Sequence, residues 1–547
     1  LSTPEEKYPL APESFRHDGV PVGQITKHTW TSRVFPGTVR DYWVYVPAQY
    51  SADKPACVMV FQDGGGYSNV ESRMRIPVVF DNLIHQKDIP VIIGIFINPG
   101  FVPPVEEGAS GRPNRSFEYD AVSGRYVQFL EEEIIPEVRK DYNLSSDPND
   151  YGISGGSSGG ICAFTAAWFR PDVFRRVLSF VGSFTNLRGG DVYPALIRKT
   201  EVKPIRVFIQ SGENDMNIFA GSWYRANQHM ASSFEYMGYD YKVVIGDQGH
   251  DDIQGASVLP DALRWLWRDH PRPIERPVAP ASRQWATEIV SVDSKWEQIG
   301  DAGSQVLHVA ADALGNVYTA SDSGQIDRLP SNGRRACFAK VSGPVHGLAI
   351  APDGQIFAAL EDEIVAFDSN CASKTVVSIC TPAGLVVSAK GSVYFTDRCN
   401  PYVWQSDPKG HTRIVHKGIA SPTGLRFSAN ESLLTVADSK GRWGWSFQVQ
   451  PDGSLANEEA FHRLEISDET SVIGASSVLV DTTGCFYIAT SIGIQVCDQE
   501  GRVSFIIDNP PGGATTSISF GGDEGNILYA AAGGRLYSRP VLRKGVV

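Results

Sequence analysis

Long hydrophobic runs are missing from this chain: nowhere do roughly eighteen apolar residues follow one another, so no segment reads as a membrane-spanning helix. An excess of positive charge is missing too. Lys and Arg total 49 against 62 Asp and Glu, a net charge of −13, which argues against a general nucleic-acid binder because phosphate neutralisation needs clustered cations. The eight cysteines include no CxxC pair, which removes a zinc cluster or a thioredoxin-type redox site. What is present is ordinary for packed globular protein: 42% hydrophobic and 20% charged residues, with 53 Gly and 34 Pro supplying turns without a collagen-like period. Composition therefore bounds the class and leaves the function open.

Cysteine usage is uneven. Cys57 and Cys162 lie in the first half, and Cys337, Cys371, Cys380, Cys399, Cys485 and Cys497 in the second, where one or two disulfides are expected beside buried free thiols. The sequence starts at Leu1 with a polar stretch to Phe15, which reads as the start of a mature chain after signal removal. Secretion or export to a bacterial periplasm is the corresponding expectation.

Texture changes once along the chain. From Thr29 to about His270, strand-like runs (Cys57–Gln62, Val91–Ile97, Arg206–Gln210) alternate with helical stretches (Tyr126–Val138, Ala256–Trp267). That alternation predicts a doubly wound, largely parallel sheet over residues 1–270. Residues 271–291 follow as a linker, opened by Pro271-Arg-Pro-Ile-Glu-Arg-Pro-Val-Ala-Pro280, whose prolines deny helix and sheet their donors. Over residues 292–547 helical periodicity fades and a repeat appears: a turn, then a strand of the form (I/V)(Y/F)xA. It occurs at Gly315–Ala320, Gly354–Ala359, Gly391–Thr396, Ser432–Ala437, Gly484–Ala489 and Asn526–Ala531. The spacing suits a four-stranded propeller blade, so an all-β six-bladed propeller is predicted.

The strongest chemical signal is Asp150-Tyr-Gly-Ile-Ser-Gly-Gly-Ser-Ser-Gly-Gly-Ile-Cys-Ala-Phe164. A GxSxG nucleophile elbow needs small flanking residues, because side chains there would strike the neighbouring strand and helix. Registers centred on Ser154, Ser157 and Ser158 all fit. Ser157 is preferred, since glycines flank it on both sides and a helix over Ile161–Phe169 follows at once. No GK[ST] ending is present, which disfavours a phosphate loop. A serine hydroxyl needs a base and an orienting acid. The strand Arg206–Gln210 runs into Ser211-Gly-Glu-Asn-Asp-Met216, where Asp215 is the preferred acid and Glu213 its rival. The next strand, Tyr241–Ile245, ends at Gly246-Asp-Gln-Gly-His-Asp251, which offers His250 as base. Val58-Met-Val-Phe-Gln-Asp-Gly-Gly-Gly-Tyr67 is a buried strand running into three glycines, and the amides of Gly65 and Ser158 are the candidate oxyanion donors.

These residues, with Phe61–Gly64, Asn114–Asp120, Val181–Phe184, Gly249-His250 and Leu263–Trp267, make Thr29–Asp269 resemble the esterase D and enterochelin-esterase-like branch of the α/β-hydrolases, related to carbohydrate esterase family 1. The resemblance implies a metal-free esterase of sugar, phenolic or siderophore esters, and by position it supports Ser157, Asp215, His250 and Gly65. It also makes Arg115 and Glu118 candidates for lining the acyl or sugar pocket, with a structural ion pair as the other reading. Trp223, at the end of the loop Asn217–Trp223, is the third candidate substrate contact.

Residues Trp296–Pro540 resemble the gluconolactonase and luciferin-regenerating-enzyme propellers, which hold a divalent cation through a Glu, two Asn and an Asp from different blades. Here the corresponding stretches read Leu307-His-Val309, Ala383-Gly-Leu385, Pro422-Thr-Gly424 and Ala475-Ser-Ser477. Leu and Ala cannot ligate calcium, and one hydroxyl does not replace a carboxylate's charge. The propeller is therefore expected to be a metal-free relative acting as binding module, cleft wall or stability partner. The leading reading is a serine esterase, without metal or cofactor, acting on a small-molecule or polysaccharide ester, with no nucleic-acid or membrane partner. The alternatives are a metal-dependent lactonase in the propeller, or a glycan-binding propeller using Trp404, Trp443 and Trp445.

Overall fold

The computed structural model describes residues 3–277, 288–291, 293–299, 305–331, 333–378, 381–468 and 473–546. The chain forms two compact units, residues 1–198 with 202–280, and residues 199–201 with 281–547. Part of the expected linker, residues 278–287, lies outside the described residues.

The first unit is built on a ten-stranded sheet. Its long strands are β1 (Gln24–Thr31), β2 (Val39–Val46), β3 (Cys57–Gln62), β4 (Ile92–Ile97), β5 (Tyr151–Gly156), β6 (Arg176–Phe180), β7 (Arg206–Gly212) and β8 (Asp240–Gly246). They lie in the order 1-2-4-3-5-6-7-8, with β2 antiparallel to β4 and every neighbouring pair from β4 to β8 parallel. Two-residue strands at Phe101–Val102 and Arg112–Pro113 extend the β2 edge. All residues of β3 and β4 are buried, the mark of parallel strands covered on both faces. Helices α1 (Ile76–Gln86), α2 (Ser158–Phe169), α3 (Trp223–Met237) and α4 (Ile253–Trp267) supply the cover. The expected helix over Tyr126–Val138 is present as Arg125–Phe129 and Ile135–Arg139 joined by a π-helical turn, Leu130–Ile134. This is the α/β-hydrolase architecture. The chain leaves β3 toward β4 on one side and returns to β5 on the other, so the carboxyl ends of β3 and β5 form a topological switch point, where such sheets bind ligands.

The second unit is a propeller of six four-stranded sheets. The repeated sequence unit is the second strand of each blade: Val317–Ala320, Ile356–Ala359, Val393–Asp397, Leu433–Asp438, Phe486–Thr490 and Ile527–Ala532. The last blade takes its outer strand, Glu297–Ile299, from the start of the unit, pairing it with Arg535–Pro540. That pairing ties the start of the unit to its last blade, and radial repetition leaves only the short edges of individual blades. Core residues of successive blades form separate clusters, such as Phe357 with Phe395 and Tyr487 with Phe520.

Two expectations are corrected. Cys57, Cys162, Cys337, Cys371, Cys399, Cys485 and Cys497 are all free, so no disulfide joins any two of these seven; Cys380 lies outside the described residues. Trp404 and Trp445 are half-buried and pack on blade cores, with Trp404 stacked on Phe395, so these two are blade packing and not a displayed sugar platform; Trp443, also half-buried, begins the third strand of its blade. No helix among the described residues is long and apolar enough to cross a membrane.

Candidate active site

Ser157 sits between β5 and α2 with φ 58° and ψ −121°, a strained conformation that non-glycine residues avoid. Ser154 lies inside β5 and is fully buried, while Ser158 opens the helix. The three registers of the motif thus separate, and Ser157 alone occupies the elbow. The glycine requirement is steric: a Cβ on Gly155 would lie 2.6 Å from the Gly159 carbonyl carbon, and one on Gly160 would lie 2.6 Å from Ser179 Oγ.

Three loops at the carboxyl ends of β5, β7 and β8 bring the expected triad together. His250 Nδ1 lies 2.7 Å from Asp215 Oδ1, and its Nε2 lies 2.8 Å from Ser157 Oγ. Asp215 Oδ1 also accepts the Met216 N–H at 2.7 Å, and its side chain is completely buried. Glu213 is exposed and takes no part.

The chain of hydrogen bonds continues past the nucleophile. Ser183 Oγ lies 3.2 Å from Ser157 Oγ, and the Trp223 indole N–H donates to Ser183 at 3.0 Å. Trp223 is 1% exposed and meets the His250 ring edge-on at 5.8 Å between centroids. Its expected role in touching substrate is therefore corrected: Trp223 packs behind the histidine and holds Ser183. Ser183 itself was within reach of sequence reasoning through the segment Val181–Phe184, but nothing in that segment marks a hydroxyl aimed at the nucleophile.

The remaining candidates divide. Glu118 is buried, pairs bidentately with Arg40 at 2.6 and 2.9 Å, and accepts from Gly100 N–H and Asn114 Nδ2. All its acceptor capacity is consumed by the protein, so it is a structural ion pair and not a substrate ligand. Arg115 is partly exposed and forks onto Asp63 with two contacts of 2.8 Å. Asp63 has φ 53°, so Arg115 clamps a strained residue at the start of the glycine turn. The Gly65 N–H donates to Asn98 Oδ1 at 2.8 Å. Asn98, just after β4, thus accepts from the amide expected to serve as an oxyanion donor. The Ser158 amide lies at the first position of α2, where no intrahelical acceptor exists, and the helix dipole adds partial positive charge there.

In the propeller, a cavity of about 890 Å³ runs along the axis, lined by the first strands of the blades. At the positions where the resemblance implies cation ligands, no carboxylate is present, and the hydroxyls hydrogen-bond within the blades. Thr423 Oγ1 donates to Ala475 O at 2.8 Å, Ser476 Oγ donates to Thr515 O at 2.8 Å, and Ser477 Oγ accepts from Ile518 N–H at 3.2 Å. Arg426 lines the same cavity and adds positive charge. Among the described residues no three His, Cys, Asp or Glu side chains converge in the propeller. This donor set does not fit a hard divalent cation.

The fold and this site define an α/β-hydrolase carrying a Ser–His–Asp hydrogen-bonded constellation, followed by a six-bladed propeller. Residues 36–265 match the family described as "Putative esterase", and residues 310–533 match the SMP-30/Gluconolactonase/LRE-like region. Each of these matches covers less than half of the chain, one within each unit. It is similar to the iron(III) enterobactin esterase of Dickeya dadantii, 27% identical over 152 residues, covering 25% of this chain and 34% of that protein. It is also similar to the gluconolactonase of Zymomonas mobilis subsp. mobilis, 24% identical over 217 residues, covering 34% of this chain and 60% of that protein. The chain therefore spans less than two thirds of the length of either relative. Among solved structures, the enterobactin esterase of Shigella flexneri is 21% identical with a TM-score of 0.38, covering 48% of this chain and 63% of that one.

Proposed function

We propose that this protein is a serine esterase that hydrolyses carbohydrate-linked or phenolic carboxylic esters through an acyl-enzyme, and that the propeller is a non-catalytic accessory. The observation that carries the proposal is the unbroken chain from Asp215 through His250 to Ser157 on a strained elbow. Ser157 Oγ attacks the ester carbonyl while His250 Nε2 takes its proton, and Asp215 holds the imidazole tautomer and stabilises the imidazolium. The imidazolium returns that proton to the leaving alcohol. Water then attacks the acyl-enzyme with His250 as base again, releasing the acid and restoring Ser157.

The Ser158 amide is the oxyanion donor available in the resting site. Gly65 joins it once the carbonyl oxygen displaces Asn98 Oδ1 from its N–H. The ester class is supported by the esterase-family match and by a relative named for enterobactin hydrolysis.

The test is a panel of acetyl, feruloyl, glucuronoyl-methyl and lactone substrates, each run with and without EDTA. Turnover of the acyl esters that resists EDTA and disappears in Ser157→Ala supports the proposal. Lactone turnover that survives Ser157→Ala and is lost with EDTA refutes it and moves the activity to the propeller.

A further inference from the structure

A second constellation of reactive side chains lies at the other edge of the same sheet. Because β3 and β5 are parallel neighbours with Val58 opposite Tyr151, the residues just before that pair, Cys57 and Asp150, fall side by side at the amino-terminal edge. The chain returns there after α4 and adds His270. His270 Nε2 lies 2.8 Å from Asp150 Oδ1 and 3.4 Å from Cys57 Sγ, and the three atoms all lie within 4.8 Å of one another. This is the one group of three such ligand atoms among the described residues.

We propose that Cys57, Asp150 and His270 form a zinc site. In a tetrahedral zinc centre, bond lengths of about 2.0–2.3 Å place nitrogen and sulfur ligands roughly 3.6 Å apart and nitrogen and oxygen ligands roughly 3.3 Å apart. The two separations from His270 Nε2, 2.8 and 3.4 Å, need adjustments of only about half an ångström to reach that geometry, and the thiol and carboxylate lie within 4.8 Å of each other. A thiol, an imidazole and a carboxylate form a mixed set that suits zinc and disfavours calcium or magnesium, which take oxygen. The carboxylate is already oriented, since Ser145 Oγ donates to Asp150 Oδ2 at 2.6 Å, an outer partner of the kind that fixes metal ligands.

The edge of the site is open. Cys57 is buried, but the His270 and Asp150 side chains are 19% and 23% exposed, which gives an ion a way in from solvent. Binding replaces the Cys57 S–H bond with a zinc–sulfur bond and releases that proton to solvent.

The site stands at the opposite ends of β3 and β5 from the glycine turn and Ser157, so it is not part of the hydrolytic machinery. It ties the start of β3, the turn before β5 and the segment after α4, which makes it a staple of the hydrolase unit.

The experiment uses the full chain, reduced and stripped with chelator, titrated with cobalt(II) and then zinc. One equivalent of cobalt giving thiolate charge-transfer and tetrahedral d–d bands, bleached by one equivalent of zinc, is the expected result. The bands must vanish in Cys57→Ala and in His270→Asn and persist in Ser157→Ala. One zinc per chain should also raise the melting temperature of the wild type. The absence of bands in the wild type overturns the proposal. So does their persistence in both ligand variants, which would assign them to an exposed thiol such as Cys337, Cys371 or Cys399. Should neither ligand variant fold, the stoichiometric melting shift and band in the wild type, unchanged by prior alkylation of exposed thiols, decide the matter alone.

Discussion

The two units each gather polar groups in one region, at the strand ends of the hydrolase sheet and along the propeller axis, and they treat those groups in opposite ways. In the hydrolase unit, a strained serine, a histidine and a buried carboxylate converge from three loops, and each polar atom points at the next. In the propeller, the cavity is ample, but its hydroxyls turn back onto blade carbonyls and amides. Reactivity depends on polar groups that are held yet unspent. A hydroxyl whose hydrogen bonds are satisfied within a blade stabilises the blade and offers a ligand little.

The strongest way to break this contrast is at the nucleophile. Ser157→Ala should lower kcat on p-nitrophenyl acetate by about 10⁴–10⁶-fold with the melting temperature retained, as triad deletions do. Unchanged turnover would place the chemistry elsewhere.

The next largest effect separates structure from catalysis within the same unit. Removing Glu118 leaves Arg40 buried and unpaired, so Glu118→Ala should cost about 3–5 kcal/mol in chemical denaturation. A stable variant with a raised KM would restore Glu118 as a substrate contact.

Acid distinguishes the propeller. Burial lowers the His462 pKa to about 4 from 6.5, with Asp498 opposing only in part. The unfolded chain therefore takes up a proton that the folded blade refuses. The contribution is complete above about pH 6.5, is lost as pH falls toward 4, and amounts to about 3 kcal/mol at most. Desolvation lowers His308 to about 4 as well, so His462→Gln should reduce the slope of that limb only in part; an unchanged slope would contradict the assignment.

Smaller still, Ser183→Ala removes one hydrogen bond to the nucleophile and should lower kcat by about tenfold with KM nearly constant. Loss through KM instead would make Ser183 a substrate ligand. The smallest effect is expected in the propeller cavity, where Thr423→Ala and Ser477→Ala should change ester turnover by less than about twofold, since surface and accessory positions rarely move activity further. A tenfold loss there would show that the cavity takes part.

Much of this was legible because it is local. The elbow, the acid and the base each follow a strand within a few residues, and the blade repeat recurs in one short strand pattern. Ser154, Ser157 and Ser158 separate in sequence by their place relative to strand and helix, which is how the backbone separates them. Long-range partnerships were not legible. Glu118 meets Arg40 across 78 residues and Gly65 meets Asn98 across 33, so a candidate ligand became an ion pair and a candidate oxyanion donor gained a resting partner. Trp223 closes a loop in sequence but opens α3 toward the core, where burial of its ring outweighs exposure. Cys57 and His270 stand 213 residues apart, and only the parallel register of β3 and β5 places them beside Asp150.

The central claim is that Ser157 alone carries the acyl group. Treating the full chain with a p-nitrophenyl organophosphate and mapping the adduct by peptide mass spectrometry tests it most directly. The account predicts one phosphoryl group per chain, on the peptide containing Ser157, with esterase activity falling in step with labelling. A stoichiometric adduct on another residue, or full activity in the labelled protein, would contradict it.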